Sequence, residues 1–357
     1  MIHLNSILLL ALLFLSCQSN TEKAATALPN DSAETELTCM QSVLKKDGKW
    51  GSARNHMCEK ISLSETIQVY VDSLTQLNYS GCPEKFATAF RAHIKSWREM
   101  IPVTDAFPGL RGEMHDVFKE IENSDNASEF KNKLNRVWDT WYVVEALHKD
   151  AEMFAAIGGP DRWAKLKTLY IKAVHEEPRF DTSYISEIWR AVDHFKIRIE
   201  QQSKEFHNLG VFSEAGGWIN YVHKDSARKL SSASLEGWKR DHSQNVYVVL
   251  NRLAKSENYE VGIDSLGRLE YRMEGEKICA FGLDSLYRPA EYFTPNPDGT
   301  ENASDFKIWK NTNGFVHTAG GGPKDGSFSY ETEIWAPSEK PFDELYTFPF
   351  NLDSLIK

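Results

Sequence analysis

The fold of this chain is decided by the stretch Leu166-Lys167-Thr168-Leu169-Tyr170-Ile171-Lys172-Ala173-Val174, where the spacing of apolar residues changes. Upstream of it, apolar residues recur every three or four positions, which is the repeat of an amphipathic helix. From Leu169 onward they occupy every second position, and this alternation is typical of a β-strand with one buried face. The sequence therefore predicts an α+β protein whose helices come first and whose sheet begins here.

Downstream of this stretch the alternation continues, and turn signals interrupt it at the spacing of consecutive hairpins. A second alternating run holds Phe195, Ile197 and Ile199, and one patch with helical spacing lies near residues 234–253. We therefore expect residues 159–357 to form an antiparallel curved sheet, a half-barrel, with one inserted helix. The turn signals are Ala215-Gly216-Gly217, Asp264-Ser265-Leu266-Gly267, Glu274-Gly275-Glu276, Pro297-Asp298-Gly299 and Asn313-Gly314.

Residues 37–158 carry the signals of an N-terminal helical bundle. The capping-box pattern Ser62-Leu63-Ser64-Glu65 marks the start of one helix. Pro83 opens a second, and we expect Pro102 to end it. A third begins near Ser128 and ends before Gly158-Gly159.

The first 17 residues have the pattern of a secretion signal. Nine apolar residues, 7–15, make a helix of roughly 13 Å, which is too short for the ~30 Å hydrocarbon core of a bilayer. Phe14-Leu15-Ser16-Cys17 resembles the lipobox of bacterial lipoproteins, and the resemblance implies cleavage before Cys17 and lipidation of that cysteine. Ordinary cleavage near Ser16 or Ser19, or an uncleaved anchor, are the alternatives.

Residues 18–36 are polar and read as a flexible tether between Cys17 and the folded body. Together with the signal, they predict a protein of the bacterial cell envelope, lipid-anchored to a membrane, with the outer membrane favoured. Its soluble body is then in the periplasm or at the cell surface. The formal net charge of −10 argues against a nucleic-acid partner.

Four cysteines follow Cys17, and an oxidising envelope permits disulfides between them. Cys39, Cys58 and Cys82 fall in one segment, so we expect one local bridge there, with its pairing left open by the sequence. Cys279 lies in an apolar strand pattern and is expected to be a buried thiol. No cysteine or histidine spacing matches a zinc site, so the sequence predicts no metal.

Residues ~150–350 resemble the lipoprotein-carrier superfamily (LolA/LolB-like). In that family a curved sheet with helices as a lid encloses an apolar cavity for acyl chains. The resemblance implies such a cavity here but transfers no ligand residue. It is carried by Ala156-Ile157-Gly158-Gly159, Trp163, Leu166-Lys167-Thr168-Leu169, Gly217-Trp218, the helical stretch 245–253 and Gly282-Leu283-Asp284 before Pro289.

The C-terminal half is rich in aromatic residues, and a curved sheet must fill its concavity with something. One interpretation is that several of them line a pocket for an apolar ligand. The alternative is that they pack between sheet and helix, because aromatic residues are favoured in strands in any case. The candidate pocket residues are Trp218, Phe281, Tyr292, Trp309, Phe328, Tyr330 and Trp335.

Catalytic motifs are missing from the sequence. His175-Glu176-Glu177 begins like a zincin motif, but Arg179 stands where the second histidine is needed. No nucleophile elbow is present, and Gly320-Gly321-Gly322 lacks the remainder of a phosphate-binding loop. We therefore expect a protein without catalytic residues or cofactor.

The predicted function is an envelope lipoprotein that binds an apolar or lipid-like ligand in a curved-sheet pocket. The alternative is a protein–protein interaction module of the cell envelope that docks through its helical domain, with Trp97, Trp141 or Tyr142 exposed.

Overall fold

The computed structural model describes residues 31–178, 182–224, 226–256 and 258–345. The predicted signal segment, its lipidation site Cys17 and most of the predicted tether lie outside the described residues. No helix within the described ranges combines the length and apolar character needed to cross a membrane.

The first part of the chain is helical, and several predicted boundaries are confirmed. Ser62 caps its helix in a capping box with Glu65, and Pro83 precedes the first residue of the next helix. The third predicted helix runs from Ala127 to Ala156. The helices are α1 (Asp31–Met57), α2 (Leu63–Thr75), α3 (Glu84–Arg98), α4 (Ile101–Thr104), α5 (Met114–Glu122), α6 (Ala127–Ala156), α7 (Pro160–Lys165), α8 (Ser232–Ser243), α9 (Val246–Lys255) and α10 (Phe342–Leu345).

Two predicted features of this part are wrong. Residues 31–36, predicted to be tether, belong to α1, because Met40 and Val43 further along the same helix are buried in the helical core. Pro102 does not end α3, which stops at Arg98. It lies instead in the first turn of α4. Backbone N–H groups in the first turn have no partner within the helix, so the missing N–H of a proline costs nothing there.

The cysteines of this part form one disulfide. Cys39 of α1 is joined to Cys82, which lies just before α3. Cys58 is a buried free thiol, as is Cys279 in the sheet. The bridge therefore attaches α1 to the start of α3.

The second part is one antiparallel sheet, which confirms the predicted fold class. The chain runs from the middle of the sheet to one edge, returns through α8 and α9, and then builds from the other edge back to the middle. In space the order is β6-β5-β4-β3-β2-β1-β13-β12-β11-β10-β9-β8-β7, and the sheet does not close. The strands are β1 (Thr168–Glu177), β2 (Thr182–Ala191), β3 (Lys196–Gln202), β4 (His207–Ser213), β5 (Gly216–Tyr221), β6 (Ser226–Lys229), β7 (Tyr259–Ile263), β8 (Leu269–Met273), β9 (Glu276–Leu283), β10 (Pro289–Pro295), β11 (Glu301–Thr312), β12 (Phe315–Pro323) and β13 (Ser329–Ser338).

The inserted helix near 234–253 is in fact two helices. Asn245 has an extended backbone, and its side chain accepts a hydrogen bond from the Tyr247 amide, so it starts α9 as an N-cap. α8 has ended just before it, at Ser243.

The two faces of the sheet have different environments. One face packs against α7 and α9, and Leu169, Tyr271 and Phe281 are fully buried there. Ion pairs also link strands of the sheet, such as those of Lys277 of β9 with Glu270 of the adjacent β8 and with Glu301 of β11. The helices therefore cover one face, and the opposite face presents exposed apolar side chains such as Ile334 as well as charged ones.

The long helix α6 belongs to both parts of the molecule. Its first half contributes Phe130 and Val137 to the core of the helical part. Its second half contributes Met153 and Phe154 to the core between sheet and helices. The predicted division at 158/159 therefore falls at the end of a helix that both cores share.

Candidate functional site

The predicted aromatic pocket is filled by its own side chains. Phe281, Tyr292, Trp309 and Trp335 all lie on the covered face, in or against one core cluster. The rings of Phe281 and Tyr292 stack 5.1 Å apart, and Trp335 lies 6.3 Å from Trp163 of α7. The space left beneath α9 is only about 10 Å³, which holds no more than one water molecule.

The other three candidates lie elsewhere. Phe328 and Tyr330 pack around the ring of His175, at 6.0 and 6.2 Å. Trp218 follows Gly217, which pairs with Phe212 on the side of the sheet that faces α8, so Trp218 points to the opposite face. The seven predicted residues therefore do not form one site.

A cavity of about 480 Å³ lies instead at the junction of the helical part and the sheet. Cavities of roughly 300–1,000 Å³ are typical of small-molecule sites. Helices α1, α3, α6, α7 and α9 and the first residue of β7 surround it. Its lining residues are Glu36, Met40, Pro83, Glu84, Lys85, Phe86, Leu147, Asp150, Ala151, Phe154, Ala155, Pro160, Leu253, Ala254, Ser256 and Tyr259.

The cavity is open because small side chains stand where the helices approach. Ala151 and Ala155 are one turn apart on α6, and Ala254 faces the cavity from α9. Larger apolar side chains, among them Phe86 and Phe154, form the walls behind them. A longer residue at any of the three alanines would occupy the space.

A groove of about 640 Å³ continues the cavity along the surface. The two share four lining residues and are therefore adjacent. The groove runs on over Val143 of α6 and Val261 of β7. An elongated ligand thus finds an apolar path from the cavity to the surface. The shared residues are Glu84, Lys85, Leu147 and Tyr259.

A buried carboxylate lies at the base of the cavity. Asp150 of α6 is 8% exposed, and its two oxygens accept hydrogen bonds from the hydroxyls of Tyr271 (2.6 Å) and Tyr259 (2.8 Å). Burial raises the pKa of Asp150 to about 6, although both tyrosine hydrogen bonds act in the opposite direction. This side chain ties α6 to β7 and β8 and also lines the cavity.

Two further charged groups shape the mouth of the cavity. Lys85 lies with its amine 4.9 Å from the ring centre of Tyr259 and donates to the carbonyl oxygen of that residue at 3.4 Å. Partial burial raises the pKa of Glu36, and the nearby negative charge of Asp161 raises it further. The exposed charged residues of the lining are therefore Glu36, Glu84 and Lys85, and Lys85 already contacts the first residue of β7.

A histidine–serine pair on the sheet does not form an active site. Nε2 of His175 lies 2.7 Å from Oγ of Ser186, but Ser186 is only 1% exposed, so no substrate reaches its hydroxyl. Burial also lowers the pKa of His175 to about 4. Throughout the described ranges, no three histidine, cysteine or acidic side chains are grouped to hold a metal ion.

The sequence did not reveal this site, because Glu36 was expected to belong to the tether and Pro83 only to open a helix. One signal was available. Asp150 lies three residues after Leu147 and four before Phe154, so a carboxylate falls within the apolar stripe of α6. A charged residue at such a position is almost never buried without partners, and here the partners come from the sheet.

No protein-family model matches the chain, and no curated protein matches it. Among solved structures, a DUF1329 family protein from Desulfovibrio piger is similar at 10% identity, over 56% of this chain and 97% of its own, with a TM-score of 0.37. An uncharacterized conserved protein from Thermus thermophilus is similar at 8% identity, over 58% of this chain and 96% of its own, with a TM-score of 0.23.

Proposed function

We propose that this protein is a non-enzymatic binding protein that holds an apolar ligand in the junction cavity. The observation that carries the proposal is the cavity itself: apolar walls, a largely apolar groove leading out of it, and one buried carboxylate, that of Asp150, in its lining. Concave apolar sites with few, well-placed polar groups are the common form of small-molecule sites. The ligand is thus bound beside the sheet rather than in its concavity, which its own aromatic residues fill.

We propose further that this binding protein is anchored at a membrane. The signal pattern ending at Cys17 supports an envelope lipoprotein, whose lipid anchor keeps the cavity close to a source of apolar molecules. Labelling cells with a radioactive fatty acid tests this part on its own. Label on the protein that is lost in a Cys17→Ser variant supports the anchor, and equal labelling of both contradicts it.

Ligand binding is tested by filling the cavity. Ala155 is exposed in the cavity wall, so Ala155→Trp adds bulk without displacing a buried residue. We expect the purified protein to raise the fluorescence of the neutral apolar dye Nile red and the variant to lose most of that signal. Ala92→Trp is the matched control, because Ala92 is also exposed on a helix but lines neither cavity nor groove. Equal dye binding by all three proteins would contradict the proposal.

A second function, docking to another envelope protein, is supported by one observation. Trp138 and Tyr142, one turn apart on α6, have 43% and 50% of their surface exposed, and Val143 next to Tyr142 has 45%. By contrast, Trp97 is buried at 3% exposure and Trp141 packs against His93. Crosslinking in intact cells from position 142 tests this function. A partner lost in a Trp138→Ser variant supports it, and no crosslinked product contradicts it.

A further inference from the structure

The carboxyl group of Asp150 in the junction cavity is held by hydroxyl groups. Its two oxygens accept hydrogen bonds from Tyr271 of β8 and Tyr259 of β7, and neither partner carries a positive charge. A buried carboxylate that is not paired with a cation is costly to ionise, and the cost grows as more water is removed from it. The charge state of Asp150 is therefore expected to respond to what fills the cavity.

Asp150 belongs to the lining of the cavity and is 8% exposed. Leu147, three positions before it on α6, and Phe154, four positions after it, line the same cavity. An apolar ligand that lies against these two side chains also covers the carboxyl group between them. Such a ligand replaces the remaining water by hydrocarbon, which disfavours the ionised carboxylate far more than the neutral acid.

Other charged groups lie around the same cavity. From α3 come Glu84 and Lys85, and the positive charge of Lys85 partly opposes the effect of burial on the pKa of Asp150. From α1 comes Glu36, whose own pKa is raised, whereas the lining residues of α7 and α9 are uncharged. On α6 itself the charged neighbours of Asp150 lie within ion-pair distance of one another, Lys149 with Glu145 and His148 with Glu152. Glu36 is therefore the acid of the lining whose titration must be separated from that of Asp150.

We propose that the junction cavity is sensitive to pH, and that it binds its apolar ligand more tightly when Asp150 is protonated than when Asp150 is ionised. This inference rests on the proposed function and adds its regulation. By linkage, a ligand that prefers the protonated form also raises the pKa of Asp150 when it binds. Because burial already raises that pKa to about 6, ligand affinity is highest below pH 6 and falls as pH rises above it. Ligand is thus taken up in mildly acidic surroundings and released as they approach neutrality.

The test measures the dissociation constant of Nile red on the purified full-length protein from pH 4.5 to pH 8. The dye is neutral, so a change of affinity with pH comes from the protein. A ligand that raises the pKa of Asp150 by about one unit binds the ionised form about ten-fold more weakly. We therefore expect the dissociation constant to rise about ten-fold across this range, while tryptophan fluorescence reports that the protein stays folded.

Variants assign the pH dependence to Asp150. Asp150→Asn should bind the dye equally at every pH, because asparagine does not ionise. Tyr259→Phe removes one hydrogen bond to the ionised form, so the fall in affinity should move to higher pH; a loss of packing alone would not move it. Glu36→Gln should keep the ten-fold change, whatever its absolute affinity. Asp139→Asn, an exposed carboxylate on α6 outside the cavity, is the matched control and should behave as the wild type.

The possible results separate this inference from the proposed function. Dye binding at no pH overturns both. Equal affinity at every pH, or affinity that rises with pH, overturns the pH inference and leaves apolar binding standing. A ten-fold change that persists in Asp150→Asn or disappears in Glu36→Gln also overturns it, because another group then titrates. If Asp150→Asn does not fold, Tyr259→Phe decides, and a pH midpoint that it leaves unmoved overturns the inference.

Discussion

Asp150 should make the stability of this protein depend on pH in a defined direction. In the folded chain its pKa is about 6, against 3.8 for an ordinary aspartate. Between these values the folded chain holds a proton that the unfolded chain has lost, so the free energy of unfolding falls as pH rises. The contribution is fully present below about pH 4 and is lost above about pH 6. The gap between the two pKa values corresponds to about 3 kcal/mol.

Asp150→Asn isolates this contribution. Asparagine has nearly the same shape and still bonds to Tyr259 and Tyr271, but it does not ionise. We measure urea unfolding of both proteins by tryptophan fluorescence from pH 4 to pH 7.5. The stability of the wild type relative to the variant should fall by about 2.5 kcal/mol across this range, because only the wild type desolvates a charge at high pH.

Asp139→Asn controls for pH effects common to the whole protein, since Asp139 lies on the same helix but is exposed. Its stability should follow that of the wild type at every pH. A constant difference between wild type and Asp150→Asn from pH 4 to pH 7.5 would refute the reasoning, because the carboxyl of Asp150 would then titrate alike in the folded and unfolded chain.

Three further predictions concern stability and are read from urea unfolding. Reducing the Cys39–Cys82 bridge should lower the free energy of unfolding by about 4 kcal/mol, because the 43-position loop gains conformational entropy in the unfolded chain. An unchanged urea midpoint in the presence of reductant would disprove this. Trp163→Ala should cost about 3–5 kcal/mol, because its fully buried ring contacts three aromatic residues, and a loss below about 1 kcal/mol would show that the core closes over the gap. Ser62→Ala removes half of a capping box and should lower the free energy of unfolding by about 1 kcal/mol. Ser73→Ala, further along α2, is the control and should lower it less. Equal losses of stability in the two variants would count against the cap.

The order of helices and sheet could be predicted because it depends on local repeats. The alternation at Leu169 and Ile171 and the capping box at Ser62 are each contained within a few residues, and each describes a single element. The structure confirms both the strand and the capped helix, because neither depends on contacts with distant parts of the chain. The break between α8 and α9 was available locally too, since Asn245 is a favoured N-cap residue.

The junction cavity could not be predicted, because its residues are brought together from distant parts of the chain. Asp150 and Tyr271 are 121 positions apart, and Lys85 and Tyr259 are 174 apart. The prediction of an aromatic ligand pocket failed for a related reason. Phe281 and Trp335 are of the types that line ligand pockets, but the same types fill cores, and only the position of α7 and α9 decides between the two.

The shared helix α6 has a consequence for how such a protein can evolve. Phe130 at one end serves the helical core and Phe154 at the other serves the core beneath the sheet. A gene fusion that recombined at the end of this helix would deliver a sheet stripped of part of its core, and one that recombined before it would do the same to the helical part. The two parts are therefore expected to be inherited together, as a single evolutionary module.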